Sequence, residues 1–347
     1  MTAIEPERPT ALPQYPAEGS DDARPRLLTQ ALERVDHTFR AVVTGSGTLV
    51  LMIMGLVAVF LTVRSIQALD TEGIGKFIVT QDWSPETRDF GIAAVLTGTV
   101  LIALVALFVA FPLAIATALF ITQLAGDRGS RLLTTVVDLM AAVPSVVYGI
   151  WGLSFLEPAV VPFAHWLSVW FGWIPIFDVP NPDASNPLPN DALYTSSTFI
   201  AGLVVGLMIV PIMTSIMRES FARAPQGERE GAFALGSTRW GMIRTVVLPF
   251  GRGGIIGGTM LGMGRALGET IAIYLIISPI FSFNFHILSR GANSIAALIA
   301  LRYGEASGVT LSALMAAGLS LFVLTMIVNF TASAIIARSR SGADSEA

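Results

Sequence analysis

"RESFARAPQGEREGAFALGSTRWGMIRTVVLPFGRGG", Arg218 to Gly254, is a charged segment set between two long apolar runs. Its local signals describe a helical hairpin. Pro225 suits the first turn of a helix, so Gln226 to Leu235 reads as one short helix, with Gly236 placed to stop it. Ser237 or Thr238 can cap a second helix over Arg239–Val247, which ends at Leu248–Pro249. The hairpin mixes apolar Ala232, Phe233, Leu235, Trp240 and Ile243 with its charges. Helix–helix connectors are commonly two to eight residues long. A longer one that carries apolar side chains points to a docking surface rather than a mere link.

The runs on either side belong to a membrane protein. The 347 residues are 53% hydrophobic and only 13% charged, with a mean hydropathy of +0.68; a soluble domain carries roughly 25% charged residues. About 20 apolar residues cross the hydrocarbon core. Six segments meet or approach that length: Ala41–Val63, Gly91–Leu124, Leu132–Phe155, Thr198–Met217, Gly253–Ile280 and Val309–Ala337. Pro112, Pro144 and Pro211 are expected to kink three of them, because neighbouring helices can satisfy the freed carbonyls. The expected fold class is therefore all-α, a polytopic bundle of six transmembrane helices over residues 41–337.

The arginines orient it. Arg8, Arg24, Arg26, Arg34 and Arg40 precede the first span, Arg128 and Arg131 follow the second, six lie in the hairpin loop, and Arg338 and Arg340 follow the sixth. The opposite side holds Arg64, Lys76, Arg88, Arg290 and Arg302. The positive-inside rule places both termini in the cytoplasm. Residues 1–25 and 338–347 read as polar cytoplasmic tails, and the start lacks the basic and apolar pattern of a signal peptide. Residues 26–40 space Leu28, Ala31, Leu32, Val35 and Phe39 as an amphipathic cytoplasmic helix; a plain extension of the first span fits the same residues. Residues 156–197 are expected to form an outward loop, with Trp166, Trp170 and Trp173 near the membrane interface. There is no cysteine, and His37, His165 and His286 stand far apart, so neither disulfides nor a metal site is expected. No internal repeat is visible, which weighs against an inverted-repeat carrier.

"EGAFALGSTRWGMIRTVVLP", Glu230 to Pro249, resembles the EAA loop of ABC importer permeases. Glu230, Gly231, Ala232, Gly236, Val246, Leu248 and Pro249 occupy the motif positions, with Gly231 in place of the usual first alanine. In that family the loop sits in a cleft of the ATPase subunit, which implies ATPase coupling through residues 218–252. The chain itself has no GxxxxGK[ST] and its single lysine is Lys76, so ATP and Mg are expected on a partner and no cofactor in this chain. "AAVPSVVYGIWGL", Ala141–Leu153, and "GRALGETIAI", Gly264–Ile273, resemble PstC-type permease subunits of the bacterial phosphate importer. The resemblance implies a PstA-type permease subunit, a PstB-type ATPase dimer and a PstS-type phosphate-binding protein as partners. The binding protein would be received by the outward loops Arg64–Phe90, Glu157–Ser197 and Phe281–Gly308.

The fifth span carries both signs of charge. If it is one continuous helix, Gly254, Gly258, Gly262, Arg265 and Glu269 fall within about 80° of one another on a wheel of about 100° per residue. A small-residue stripe lets another backbone approach closely. Each charge near mid-membrane costs about 2.5–3.5 kcal/mol, and each Leu or Ile returns about 0.3–0.6 kcal/mol. The two charges should then face protein or a pathway, away from lipid. Arg265 can meet a phosphate oxyanion while Glu269 holds it at rest, as a latch; a static salt bridge that braces the bundle fits the same residues. Ser145 and Tyr148, after Pro144, can add polar groups to the pathway or bond helix to helix. Asp138 reads as a hydrated residue near the end of the third span, and the GxGxxxG of "GMGRALG" as membrane packing.

The function expected is that of a permease subunit moving inorganic phosphate inward with ATP hydrolysed by a partner, and with no catalytic centre of its own. A permease for another oxyanion, such as sulfate or molybdate, and an ion-driven carrier or channel without an ATPase are the alternatives.

Overall fold

The structure, a computed structural model, describes residues 34–84, 89–180 and 191–340. Most of the two expected tails lies outside these residues. The chain divides into two units, Met1–Gly55 and Leu56–Ala347.

The first helix, α1, covers Arg34–Glu72 and overruns the expected first span at both ends. Nothing between Arg34 and Ala41 breaks a helix, so residues 34–40 form its first turns rather than a separate amphipathic helix. Residues 26–33 lie outside the described residues. Within the first unit, residues 36–55 of α1 expose all their side chains, most of them apolar.

The second unit continues with α2 (Ile74–Val79), a two-stranded antiparallel hairpin of β1 (Trp83–Ser84) and β2 (Asp89–Phe90), and α3 (Ala93–Leu119), which ends in a wide π-helical turn, Phe120–Leu124. Helix α4 (Asp127–Ala142) is followed by α5 (Ser145–Trp151), a second π-helical turn and α6 (Glu157–Phe171). Helix α7 (Thr198–Ala222) leads into α8 (Gln226–Ala234) and α9 (Arg239–Met242). A third π-helical turn, Ile243–Val247, joins α9 to α10 (Leu248–Phe250). The chain then forms α11 (Arg252–Gly268), α12 (Ile271–Ile276), α13 (Ile295–Arg302) and α14 (Gly308–Arg340). The tail expected at 338–347 thus begins as helix, and residues 341–347 lie outside the described residues.

Among the described residues, five stretches are long and apolar enough to cross a membrane: Asp36–Thr71, Ala93–Leu124, Ser145–Phe171, Thr198–Ala222 and Gly308–Ile335. A sixth candidate is the pair Arg239–Phe250 and Arg252–Gly268, bent by 67°. The all-α membrane bundle is therefore as expected, but two spans differ.

The expected third span, Leu132–Phe155, is cut at Pro144. Proline drives the residue before it into extended backbone, and Val143 stands at φ −67°, ψ 128°. The crossing helix starts at Ser145 and runs on through Phe171, so the first part of the expected outward loop 156–197 is helix. The expected fifth span, Gly253–Ile280, is also broken, at Glu269–Thr270 between α11 and α12. Pro112 and Pro211, in contrast, sit inside unbroken helices.

The core of this unit is built on close backbone approach. Ala103, Ala106, Ala110, Ala114 and Ala118 form a fully buried stripe along α3. Gly206 of α7 faces the Ala106 backbone, where an added Cβ would sit 3.0 Å from the carbonyl oxygen. Small residues at i, i+4 spacing let dispersion replace the missing hydrophobic drive in lipid. Helix α11 packs on the same α7. At the end of α3 remote from the α8–α10 hairpin, Phe77, Trp83, Phe90, Ile295, Leu298 and Leu314 bury a smaller cluster. There the Thr99 hydroxyl accepts the Ile295 N–H at 3.0 Å. The Ser312 hydroxyl of α14 donates to the Arg64 carbonyl at 2.7 Å and accepts the Ala68 N–H at 3.0 Å.

Candidate pathway and coupling sites

Two regions hold the residues singled out from sequence. The first surrounds the break between α11 and α12. Helix α11 ends at Gly268, and Glu269 adopts extended backbone, φ −66°, ψ 130°. Glu269 is 8% exposed, and its carboxylate accepts the Ala272 N–H at 3.1 Å. It thus serves one of the free amides that open α12. Arg265, one turn earlier, is exposed, and neither ion pair found among the described residues involves it. The continuous helix expected here, with both charges on one glycine-lined face, does not form. The carboxylate turns inward to backbone, and the guanidinium is bared.

The Tyr148 hydroxyl donates to the Met140 carbonyl at 3.0 Å. That carbonyl is four residues before Pro144, the acceptor that a proline ring leaves without its helical donor. The same carbonyl accepts the Val143 N–H at 3.3 Å, so Tyr148 is its second donor across the Pro144 break. Ser145, partly buried, is the first residue of α5. Gly149 brings α5 against α12: an added Cβ would lie 2.9 Å from the Ala272 Cα. The structure therefore brings α5, which carries Ser145 and Tyr148, against α12 just past the Glu269 break, with Arg265 one turn before that break on α11. Asp138 is exposed on α4.

Sequence reasoning missed the break itself, the Met140 carbonyl and Gly149. The available signal was "Gly268-Glu269-Thr270", a helix stop followed by two capping-type side chains ahead of a fresh apolar run.

The glycine stripe has a defined neighbour. An added Cβ at Gly258 would lie 3.2 Å from the Met213 carbonyl, and one at Gly262 2.7 Å from the Met213 Sδ; Gly254 meets Ser220. All three face α7. Arg265 points elsewhere, since Gly262 is buried while Arg265 is exposed.

The second region is the hairpin. Helix α8 ends at Ala234, and Gly236 takes φ +82°, a left-handed conformation that glycine adopts without strain. The Thr238 hydroxyl accepts the Gly241 N–H at 3.1 Å, capping α9. The second arm runs on to Phe250, past Val247, because Pro249 falls in the first turn of α10, where it needs no donor. Met242, Ile243 and Val247 are buried in the core, while Leu235 is 91% and Trp240 62% exposed. Glu230 and Gly231 lie on the exposed side of α8, Ala232 is half-buried, and Leu248 and Pro249 open α10. Glu230 accepts a hydrogen bond from Gln226 at 2.7 Å.

Residues 110–341, which include both regions, match the family model for the binding-protein-dependent transport system inner membrane component. The chain belongs to this family. Its members are permease components, and the chain is a multi-pass inner-membrane protein of that kind. It is 37% identical to "Phosphate transport system permease protein PstC 2" of Mycobacterium tuberculosis, over 87% of this chain and 92% of the relative. It is 35% identical to "Phosphate transport system permease protein PstC" of Pasteurella multocida, over 87% and 94%. Among solved structures, a bacterial ABC transporter involved in import of the acidic polysaccharide alginate aligns with TM-score 0.55 and 20% identity, over 88% of this chain and 99% of that one. The inward-facing MetNI methionine ABC transporter aligns at TM-score 0.50 and 13% identity, over 74% and 99%. These two likenesses establish the permease fold.

Proposed function

We propose that this chain is the PstC-type permease subunit of an importer that moves inorganic phosphate into the cytoplasm, powered by ATP hydrolysed on a partner. The observation that carries the reading is the bared Arg265 at the α11–α12 break. A guanidinium with no carboxylate partner suits an oxyanion that arrives and leaves. Facing lipid, the same charge would cost about 2.5–3.5 kcal/mol, so its face belongs to a protein-lined pathway. Glu269, spent on the Ala272 amide, does not compete for it. The naming of the relatives supports phosphate as the oxyanion.

The hairpin is the docking loop for the ATPase. Leu235 and Trp240 offer apolar anchors, and buried Met242, Ile243 and Val247 tie the loop to the bundle. The placement of the arginines assigns the termini and the hairpin alike to the cytoplasm. A PstA-type permease subunit shares the pathway, two PstB-type ATPase subunits bind ATP and Mg, and a PstS-type binding protein delivers phosphate from outside.

Purification in mild detergent followed by reconstitution tests this. The expected outcome is a co-purifying ATPase and ATP-dependent phosphate uptake that excess sulfate or molybdate leaves intact. Uptake abolished by sulfate or molybdate moves the assignment to another oxyanion. Absence of any ATPase, under conditions that keep membrane complexes whole, overturns the reading in favour of an ion-driven carrier or channel.

A further inference from the structure

The hairpin is joined by the chain itself to two of the three core helices: α7 runs into it at Ala222, and α11 leaves it at Arg252. Helix α3 has no such covalent link. It is reached instead by a side chain. The Arg229 Nη2 of α8 donates to the Gln123 Oε1 at 3.0 Å. It is a side-chain hydrogen bond from α8 to the turn that ends α3. Gln123 stands in the π-helical turn Phe120–Leu124, where the Ala125 N–H returns to the Phe120 carbonyl at 2.8 Å. Such wide turns interrupt a helix at positions that later move or bind.

Both partners depend on this bond. The Arg229 Nε and the Gln123 Nε2 are buried and have no other acceptor. Breaking the Arg229–Gln123 bond would add two more unpaired groups at a half-buried place, which is costly. At its other end α3 meets the Ile295 amide through Thr99 and the Asn293 backbone at Gly98. A rod of this length, about 40 Å at 1.5 Å per residue, runs from the hairpin to the opposite face of the bundle.

We propose that the Arg229–Gln123 hydrogen bond is the strut through which hairpin movement is carried into α3, with Gln123 as a positioning residue for transport. This rests on the reading of the hairpin as the ATPase dock. Loss of the strut should leave a complex that hydrolyses ATP with little phosphate moved.

The test uses the whole complex in vesicles, with ATP, Mg and inorganic phosphate as probes. Gln123→Leu keeps the side chain's bulk and removes the acceptor. It is expected to lower phosphate moved per ATP hydrolysed by at least about five-fold, the lower end of usual site-to-site couplings. Gln123→Glu keeps an acceptor and should hold the ratio within about two-fold of wild type, because a carboxylate accepts from guanidinium at least as well. An unchanged ratio in Gln123→Leu overturns the strut.

A second measurement does not depend on that variant folding. The chain has no cysteine, so the pair Gln123→Cys with Arg229→Cys can be joined by a short bis-thiol reagent. Cross-linking should restore the ratio lost in the unlinked double variant. A cross-link that leaves transport abolished shows that hairpin and α3 must part, and sinks the proposal. Wild-type complex that fails to move phosphate at all would instead indict the functional assignment.

Discussion

The chain turns sharply at two places, and the two turns are built in opposite ways. In the hairpin, the turn at Leu235–Ser237 is held by its own backbone and by Thr238, and it thrusts a large apolar side chain outward. At the α11–α12 break, the turn is sunk in the bundle, a carboxylate is folded inward onto Ala272, and a cation is left bare. In the proposed function, the first is the one gripped from outside by a folded partner. The second withholds one charge so that the other stays available. Turn chemistry alone does not separate them; what separates them is which side chain is left unmet.

Mutations can break that contrast, beginning with the bare cation. Arg265→Gln should cut phosphate uptake by about 10- to 100-fold, since charge-assisted hydrogen bonds worth about 1.5–3 kcal/mol leave the transport barrier. Uptake of radiolabelled phosphate in vesicles reads this, with co-purification of the ATPase showing that assembly is intact. Normal uptake in an assembled complex would remove Arg265 from the pathway.

On the hairpin, Leu235→Asp should reduce co-purifying ATPase by about ten-fold, the loss of one apolar anchor of about 1.5–3 kcal/mol. Thermal unfolding of the isolated subunit should not move, because Leu235 touches little of its own chain. Undiminished ATPase recovery would place the dock elsewhere.

Glu269 offers a finer test. Glu269→Ala removes the acceptor for the Ala272 amide and should destabilise the subunit by about 1 kcal/mol. Glu269→Gln keeps an acceptor and should cost less than half of that, read by thermal unfolding in detergent. Equal losses for both would show that the negative charge itself matters, as a latch on Arg265 requires. The smallest effect belongs to Thr238→Ala, about 0.5 kcal/mol at an exposed cap, seen as faster hydrogen exchange at Gly241.

The hairpin was legible in the sequence because its signals are local. Pro225, Gly236 and Thr238 each dictate a backbone geometry within a few residues. The membrane fold was legible for a similar reason, since apolar length and arginine placement are counted directly. The breaks were not. Pro211 and Pro144 look alike in sequence, yet the first lies in a continuous helix and the second ends one. Around Pro211, buried Met208, Ile209 and Met213 hold α7 between α3 and α11, so packing offsets the lost hydrogen bond. Before Pro144, Leu139, Met140, Ala141 and Ala142 are exposed, and nothing holds the helix straight. The break at Glu269 has no proline at all. It depends on Ala272 fitting against Gly149 of another helix, a contact that no window of sequence contains.

The first helix carries a consequence of another kind. Its 39 residues make it about 58 Å long at 1.5 Å per residue, nearly twice the roughly 30 Å of a bilayer's hydrocarbon. Only its middle, Ala41–Val63, is continuously apolar, about 34 Å at 1.5 Å per residue, which sets its depth only to within about one turn. A fixed point is needed, and Ser312 supplies one by grasping the Arg64 carbonyl and the Ala68 amide together. The register of the first helix is thus held by a serine on the last, one residue past the apolar stretch, so a sliding of one against the other would break both bonds at once.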